Sequence, residues 1–353
     1  MEPTITINAR AERQLLDTAS LPFGVQPTEH MFLAEYRDGA WHDARIVPFG
    51  DLTLSPFALC LHYGQTVFEG MKAFRAADGS INIFRPEKHY ARFSGSLKRM
   101  CMPAVPERLF LEALRQLVAL DGAWTPEGAD GALYIRPFMI ASEERLGVKV
   151  ADKYLFLIVC TPAYQYYSKP LKVKVETTYV RAAEGGTGAA KCGGNYGGAF
   201  YPTVLAKEAG FDQVLWTDGR HHEFIEESGT MNVMFYIKDT LITPPLSGTI
   251  LDGVTRDSLL TLAREQGITV AERPVSYREL QGLLESGTRV EAFGAGTAAV
   301  IAPIESIAIG NKQYTCYIGP DALMYRLAEA LLQIRQGKAP DVHGWNFPVA
   351  SSQ

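Results

Sequence analysis

Residues 184–198 read EGGTGAAKCGGNYGG: seven glycines around one lysine, Lys191, with Tyr196 five residues on. The fold turns on what that lysine is for. A phosphate-cradling P-loop needs G-x-x-x-x-G-K-[ST], but Ala189 and Ala190 precede Lys191 and Cys192 follows it. A dinucleotide fingerprint G-x-G-x-x-G starts at Gly186, yet Lys191 stands where the third glycine belongs. Neither nucleotide pattern is completed. A lysine that forms an imine with an aldehyde fits better. Burial among small apolar residues disfavours the ammonium and frees the amine. The flanking alanines and glycines leave room for a flat ring.

Composition narrows the classes. The chain has 353 residues, 47% hydrophobic and 21% charged, with a net charge of −5. That length predicts two domains. No basic stripe with interleaved aromatics points to nucleic acid. No window approaches the length of a membrane span, and the N-terminus lacks the basic head and apolar stretch of a signal peptide, so a cytoplasmic protein is expected. The five cysteines are odd in number and form no C-x-x-C, which argues against a disulfide framework or a cysteine zinc site. His221 and His222 are adjacent, so on a strand they would point apart; they read as turn residues and no metal site is expected.

Around that loop the chain reads as two halves. Asp38-Gly39 and Asp78-Gly79 each sit between β-prone runs and predict hairpins. Residues 85–100 and 106–120 read as helices, and 131–141 and 153–163 as strands. Hairpins with two or three helices make a mixed α+β domain over 1–164. QYYSKP, 165–170, loses the alternation and ends in proline, so it is the expected linker. A second domain over 171–353 opens with the alternating run LKVKVETTYVR. Helices are expected over 199–211, 253–267 and 320–337, with β structure over 212–246 and a strand running into a turn over 289–297.

Several motifs give the lysine company. FIEESGTMN places Glu227 before a Ser-Gly-Thr turn. GVTR puts Gly253, Val254 and Thr255 at a helix start, where free N–H groups attract phosphate. FGAGT adds the Thr297 hydroxyl, and IFRP supplies Arg85, a planar fork suited to phosphate. An amine, a carboxylate, a tyrosine and a phosphate cup are what pyridoxal 5'-phosphate requires.

The motifs YGQTVFEGMKAF, YIRP, AKCGGNYGG, EESGTMN, GVTR and FGAGTA, in that order, resemble the branched-chain amino acid aminotransferases among the fold-type IV pyridoxal phosphate enzymes. The match runs from about residue 22 to the C-terminal helix. The resemblance implies a smaller N-terminal domain and a larger β-barrel-like domain with helices. It also implies a homodimer and a reversible ping-pong exchange of the amino group between leucine, isoleucine or valine and 2-oxoglutarate. Lys191 resembles the cofactor-linking and proton-shuttling lysine. Glu227 resembles the acid paired with the pyridine nitrogen, with Glu226 as the rival and a solvent-facing position its plain alternative. Tyr196 is implied at the ring's O3', and Arg85, Val254, Thr255 and Thr297 at the phosphate. The substrate would meet Thr230, Ala298, Tyr134 and Arg136, with Tyr63 (from the partner subunit) and Phe68 as apolar walls.

The sequence also departs from part of that family. The mammalian members' C-x-x-C pair falls here on Ala299 and Ala302, so no thiol switch is expected, and Pro27 stands where relatives commonly place an aromatic residue or histidine. A D-amino acid transaminase, an aminodeoxychorismate lyase and a silent cofactor-binding protein stay open as alternatives on the same fold. Cys192 reads only as a small filler beside the amine.

Overall fold

In the computed structural model, which describes residues 3–9, 22–128, 131–164, 167 and 169–350, the chain forms two units. Unit 1 takes Met1–Tyr166, Ala190–Gly194 and Gln333–Gln353; unit 2 takes Tyr167–Ala189 and Asn195–Leu332. Residues 1–2 and 10–21, and residues 165, 166 and 168 of the expected linker, lie outside the described residues.

Unit 1 is a hairpin sheet backed by helices. Its strands are β1 (Thr6–Ile7), β2 (His30–Arg37), β3 (Ala40–Pro48), β4 (Thr66–Phe68), β5 (Met71–Arg75), β6 (Ile81–Phe84), β7 (Ala132–Ala141) and β8 (Tyr154–Ala163). They run in the order β1-β3-β2-β8-β7-β5-β6, with the C-terminal strand Asn346–Val349 beyond β6 and β4 paired to β7. The two Asp-Gly turns join β2 to β3 and β5 to β6 as expected; Asp38 and Gly39 both take positive φ, 54° and 76°. The helices are α1 (Leu59–Tyr63), α2 (Pro86–Arg99) and α3 (Glu107–Asp121).

The core fixes α2. Phe93 of α2 and Phe110 of α3 lie 5.5 Å apart, and both pack on Phe156 of β8, at 5.7 and 5.9 Å. These rings are fully buried, and each contributes roughly 1.5–3 kcal/mol by leaving water. The buried face of α2 is Pro86, His89, Phe93, Ser96 and Leu97. Its period is helical, but two of its members are polar, and both prove to hold something.

Unit 2 contains a closed barrel. Its strands are β9 (Leu171–Glu176), β10 (Gln213–Thr217), β11 (Ile225–Ser228), β12 (Met231–Ile237), β13 (Thr240–Thr243), β14 (Thr269–Glu272), β15 (Val290–Gly296), β16 (Val300–Ile309) and β17 (Lys312–Thr315). Pairing runs β11-β10-β9-β16-β15-β12, and β12 pairs back to β11, so six strands close a ring. Strands β13 and β14 extend from β12, and β17 from β16. The helices are α4 (Gly194–Gly197), a single turn that begins in unit 1, then α5 (Phe200–Glu208), α6 (Val254–Glu265), α7 (Tyr277–Glu285) and α8 (Leu323–Arg335), whose last residues belong to unit 1.

The expected strand LKVKVETTYVR stops early, at Glu176. The Glu176 carboxylate accepts the N–H groups of Thr178 and Tyr179, at 2.7 and 3.1 Å, and turns the chain out of the sheet. His221 and His222 do lie in a turn, tied by the Asp218 carboxylate, which accepts four backbone N–H groups. Gly267, at φ 74°, follows α6 at its expected end.

Candidate active site

Five residues of the opening loop, Ala190–Gly194, belong to unit 1, and the backbone explains why. The Lys191 carbonyl accepts the Phe68 N–H at 3.0 Å, and its own N–H donates to Ser96 Oγ at 2.9 Å. Cys192 bridges to Val67, and the Gly193 N–H donates to Thr66. A Cβ on Gly193 would come within 2.5 Å of Thr66 Oγ1, so glycine is what admits this approach. Cys192 is buried in the same aromatic core as Phe93, which gives it the packing role of a small filler.

Four expected site residues meet in unit 1. Lys191 Nζ and the Arg136 guanidinium both stand by the Phe68 ring, at 4.9 and 4.8 Å from its centroid. Arg136 Nη2 donates to the Tyr134 hydroxyl at 2.8 Å, and Phe23 packs edge-on against Tyr134. Among the described residues no carboxylate pairs with Arg136, and its Nε is buried with no hydrogen-bond partner. Such an orphan donor is unusual in a folded protein and fits an acidic ligand. Arg85 joins other neighbours. It adopts a left-handed conformation, φ 51°, immediately before Pro86 opens α2, and its guanidinium lies 4.7 Å over the Trp345 ring. Tyr63 is substantially exposed and its hydroxyl donates to the Leu146 carbonyl.

In unit 2 the expected residues gather at one end of the barrel. Asn232 pairs with Ala295 across β12 and β15, which brings the turn holding Thr230 beside the turn holding Thr297 and Ala298. Met231 fills the space between: a Cβ on Gly294 would lie 2.6 Å from its Cε. The start of α6 joins the same end, since a Cβ on Gly253 would lie 1.9 Å from Asn232 Oδ1. Val254 and Thr255 are buried there, and no side chain caps the helix. A buried, uncapped helix start leaves N–H groups seeking an acceptor, and an anion is the usual one. Tyr196 lies half-buried on α4.

Glu227 is almost fully buried on β11. Its Oε1 accepts the Leu251 N–H at 2.8 Å, and its Oε2 pairs with Arg181 Nε at 3.2 Å. Glu226 is not solvent-facing as its plain alternative had it: it too is buried, and its carboxylate accepts the Thr249 hydroxyl. Burial raises its pKa, and neither that hydrogen bond nor Arg181 reverses the rise. One of the two adjacent acids is therefore ion-paired and the other is biased towards its neutral form.

Two groups of residues escaped the sequence reading. Arg181 also donates to the Gly188 and Thr249 carbonyls, so it ties the glycine loop to Glu227. In unit 1, Glu69 is fully buried. Its carboxylate accepts Arg92 Nε at 2.7 Å, Arg92 Nη2 at 2.8 Å and His89 Nδ1 at 2.7 Å. Burial acts to raise the Glu69 pKa, but the Arg92 charge and the hydrogen bonds overcome it and hold the carboxyl far below its usual range. Burial pushes the His89 pKa down, so a neutral ring donates from Nδ1. The only sequence signal for this group was two polar residues, His89 and Ser96, on an otherwise apolar helix face.

Comparison with known proteins fits this geometry. A family model described as amino-transferase class IV matches residues 66–307. The branched-chain-amino-acid aminotransferase of Mycolicibacterium smegmatis is 43% identical over 333 residues, covering 92% of this chain and 90% of the relative. Two solved structures share the fold at 26% identity. The branched-chain amino acid aminotransferase of Thermobaculum terrenum in its PLP form has a TM-score of 0.75, covering 90% of this chain and 98% of its own. The T.th. branched-chain amino acid aminotransferase complexed with N-(5'-phosphopyridoxyl)-L-glutamate has a TM-score of 0.70, covering 89% and 97%.

Proposed function

This chain belongs to the class IV amino-transferase family, and on that premise we propose that it is a branched-chain amino acid transaminase dependent on pyridoxal 5'-phosphate. The reaction moves the amino group of L-leucine, L-isoleucine or L-valine to 2-oxoglutarate, giving the branched 2-oxo acid and L-glutamate. The observation that carries the cofactor reading is the start of α6, where Val254 and Thr255 are buried and no side chain caps the helix.

When bound, pyridoxal phosphate supplies an aldehyde for covalent linkage and a conjugated ring that takes up the electrons left at the substrate Cα. Lys191 Nζ would hold the cofactor's aldehyde carbon, and its free amine would move the proton at the substrate Cα. Glu227 would face the pyridine nitrogen and hold a proton there, with Arg181 Nε, 3.2 Å from its Oε2, fixing the side chain in place. Tyr196 would orient the ring through O3'. Arg85, Val254, Thr255 and Thr297 would hold the phosphate.

Thr230 and Ala298 meet the substrate carboxylate with Tyr134 and Arg136. The Arg136 charge, with no carboxylate paired to it among the described residues, suits the second carboxylate of glutamate, while Phe68 and the partner subunit's Tyr63 offer apolar surface to leucine. The complex of a related enzyme with a phosphopyridoxyl-glutamate supports glutamate as amino donor.

We further assign a homodimer and a cytoplasmic location. The exposed apolar side chains Phe57, Leu61, Tyr63 and Leu146 support a partner surface, and no helix among the described residues is long and apolar enough to cross a membrane. A light-scattering mass of one chain would remove the dimer.

Purified protein mixed with excess L-leucine alone tests the activity. The absorbance of bound pyridoxal phosphate should convert to that of the pyridoxamine form, with D-leucine as the chiral control. No conversion with any branched L-amino acid would end the assignment.

A further inference from the structure

We propose that Glu69 is a positioning residue for Lys191, acting through Arg92, His89 and the peptide unit of the lysine. The inference rests on the reading of Lys191 as the reactive amine. Two grips hold the Lys191 backbone, and they come from different elements. Phe68, at the end of β4, donates its N–H to the Lys191 carbonyl. Ser96, on α2, accepts the Lys191 N–H. The reach of the side chain therefore depends on how firmly β4 and α2 are held together.

Glu69 holds them. It follows Phe68 directly, and its own N–H donates to the Pro137 carbonyl at 2.7 Å, anchoring it to β7. Its carboxylate takes three donors from α2, two from Arg92 and one from His89. His89, Arg92 and Ser96 are spaced three and seven residues along one helix, so they share a face. The paired fork of Arg92 fixes direction as well as distance. His89 is fully buried, and burial pushes its pKa down, which favours the neutral ring that donates from Nδ1 to Glu69. The lysine peptide, the strand end and the helix thus form one closed circuit of hydrogen bonds within unit 1.

The Glu69 carboxylate bonds to Arg92, His89 and the Gly70 N–H, so its effect on the lysine should show first in backbone order. The test is hydrogen exchange by mass spectrometry on the full-length protein carrying its cofactor. Glu69→Gln removes the charge that holds Arg92 and keeps the shape. In that variant the peptide covering 190–194 should exchange about ten-fold faster, while strands β12 and β15 exchange as before. The kcat should fall with KM little changed. Ser96→Ala removes one grip directly and should accelerate the same peptide. It decides the matter alone if Glu69→Gln does not fold.

Unchanged exchange at 190–194 in a folded Glu69→Gln protein would overturn the proposal. So would an equal acceleration throughout unit 1, which is what loss of packing alone produces. Borohydride labelling of wild type on another lysine would sink the Lys191 reading while leaving the exchange result to stand.

Discussion

Arg181 Nε stands 3.2 Å from Glu227 Oε2, and both side chains are almost sealed from water. A buried ion pair is a weak source of stability, but breaking one is costly because the remaining charge is stranded. Arg181→Ala should therefore destabilise the protein by about 3 kcal/mol. Its two bonds to backbone carbonyls add to the loss. Denaturant unfolding measures it, and an unchanged midpoint would mean that water already serves Glu227.

Glu226 and Glu227 are neighbours on one strand but stand in different surroundings. Glu227→Gln should lower kcat by about 10²-fold, the scale expected when a fixed charge at the reacting centre is lost. Glu226→Gln should leave kcat nearly unchanged, since the acid it replaces is already biased towards neutrality and bonded to Thr249. Steady-state kinetics on the two variants decides between the acids; the reverse pattern would exchange their roles.

Gly70 has no room for a side chain. A Cβ there would lie 2.0 Å from the Tyr134 hydroxyl, and Tyr134 is itself buried against Phe23. Gly70→Ala should cost roughly 1–3 kcal/mol in stability by overpacking. It should also displace the hydroxyl that receives Arg136, so KM for glutamate should rise more than KM for leucine. Equal changes in both constants would separate Tyr134 and Arg136 from donor recognition.

Glu69 has a pH signature of its own. Its folded pKa lies below the ordinary 4.5, so the folded state binds fewer protons than the unfolded chain in acid. The stability it provides is complete above the ordinary carboxylate range and is lost as pH falls below it. Wild type should lose thermal stability steeply on acidification, and Glu69→Gln should show a shallower slope. Parallel slopes in melting curves from neutral pH downwards would mean that the pair with Arg92 contributes no linkage.

The legible parts of this molecule were local. Asp38-Gly39 and Asp78-Gly79 marked their hairpins because the turn chemistry lies within two residues. The helices α2, α3, α5, α6 and α8 fall on the stretches expected for them, with Pro106 marking the start of α3 and a one-sided run of leucines marking α6. Four expected site residues, Lys191, Phe68, Arg136 and Tyr134, come together in unit 1. What escaped depends on distant contacts. Ser96 and Lys191 are 95 residues apart in sequence, and nothing near either names the other. Arg181 reads as the tail of an alternating strand, and its role exists only once the chain has turned at Glu176. Helix α7 and strands β16 and β17 were not anticipated. In β16, Pro303 sits inside a ten-residue strand, a signal that argues against a strand when read locally.

The β11–β12 ladder that closes the barrel has just two paired positions, Glu227 with Asn232 and Ser228 with Met231. Successive side chains on a strand point to opposite faces, so a slip of one residue there would exchange Glu226 and Glu227. The wrong acid would then stand before Arg181. Gly229, at φ 56° and with Gln213 Oε1 only 2.3 Å from where a Cβ would be, pins the turn against that slip. Lengthening the turn between Ser228 and Met231 by one residue could therefore swap the chemistry of two adjacent carboxylates without altering either one.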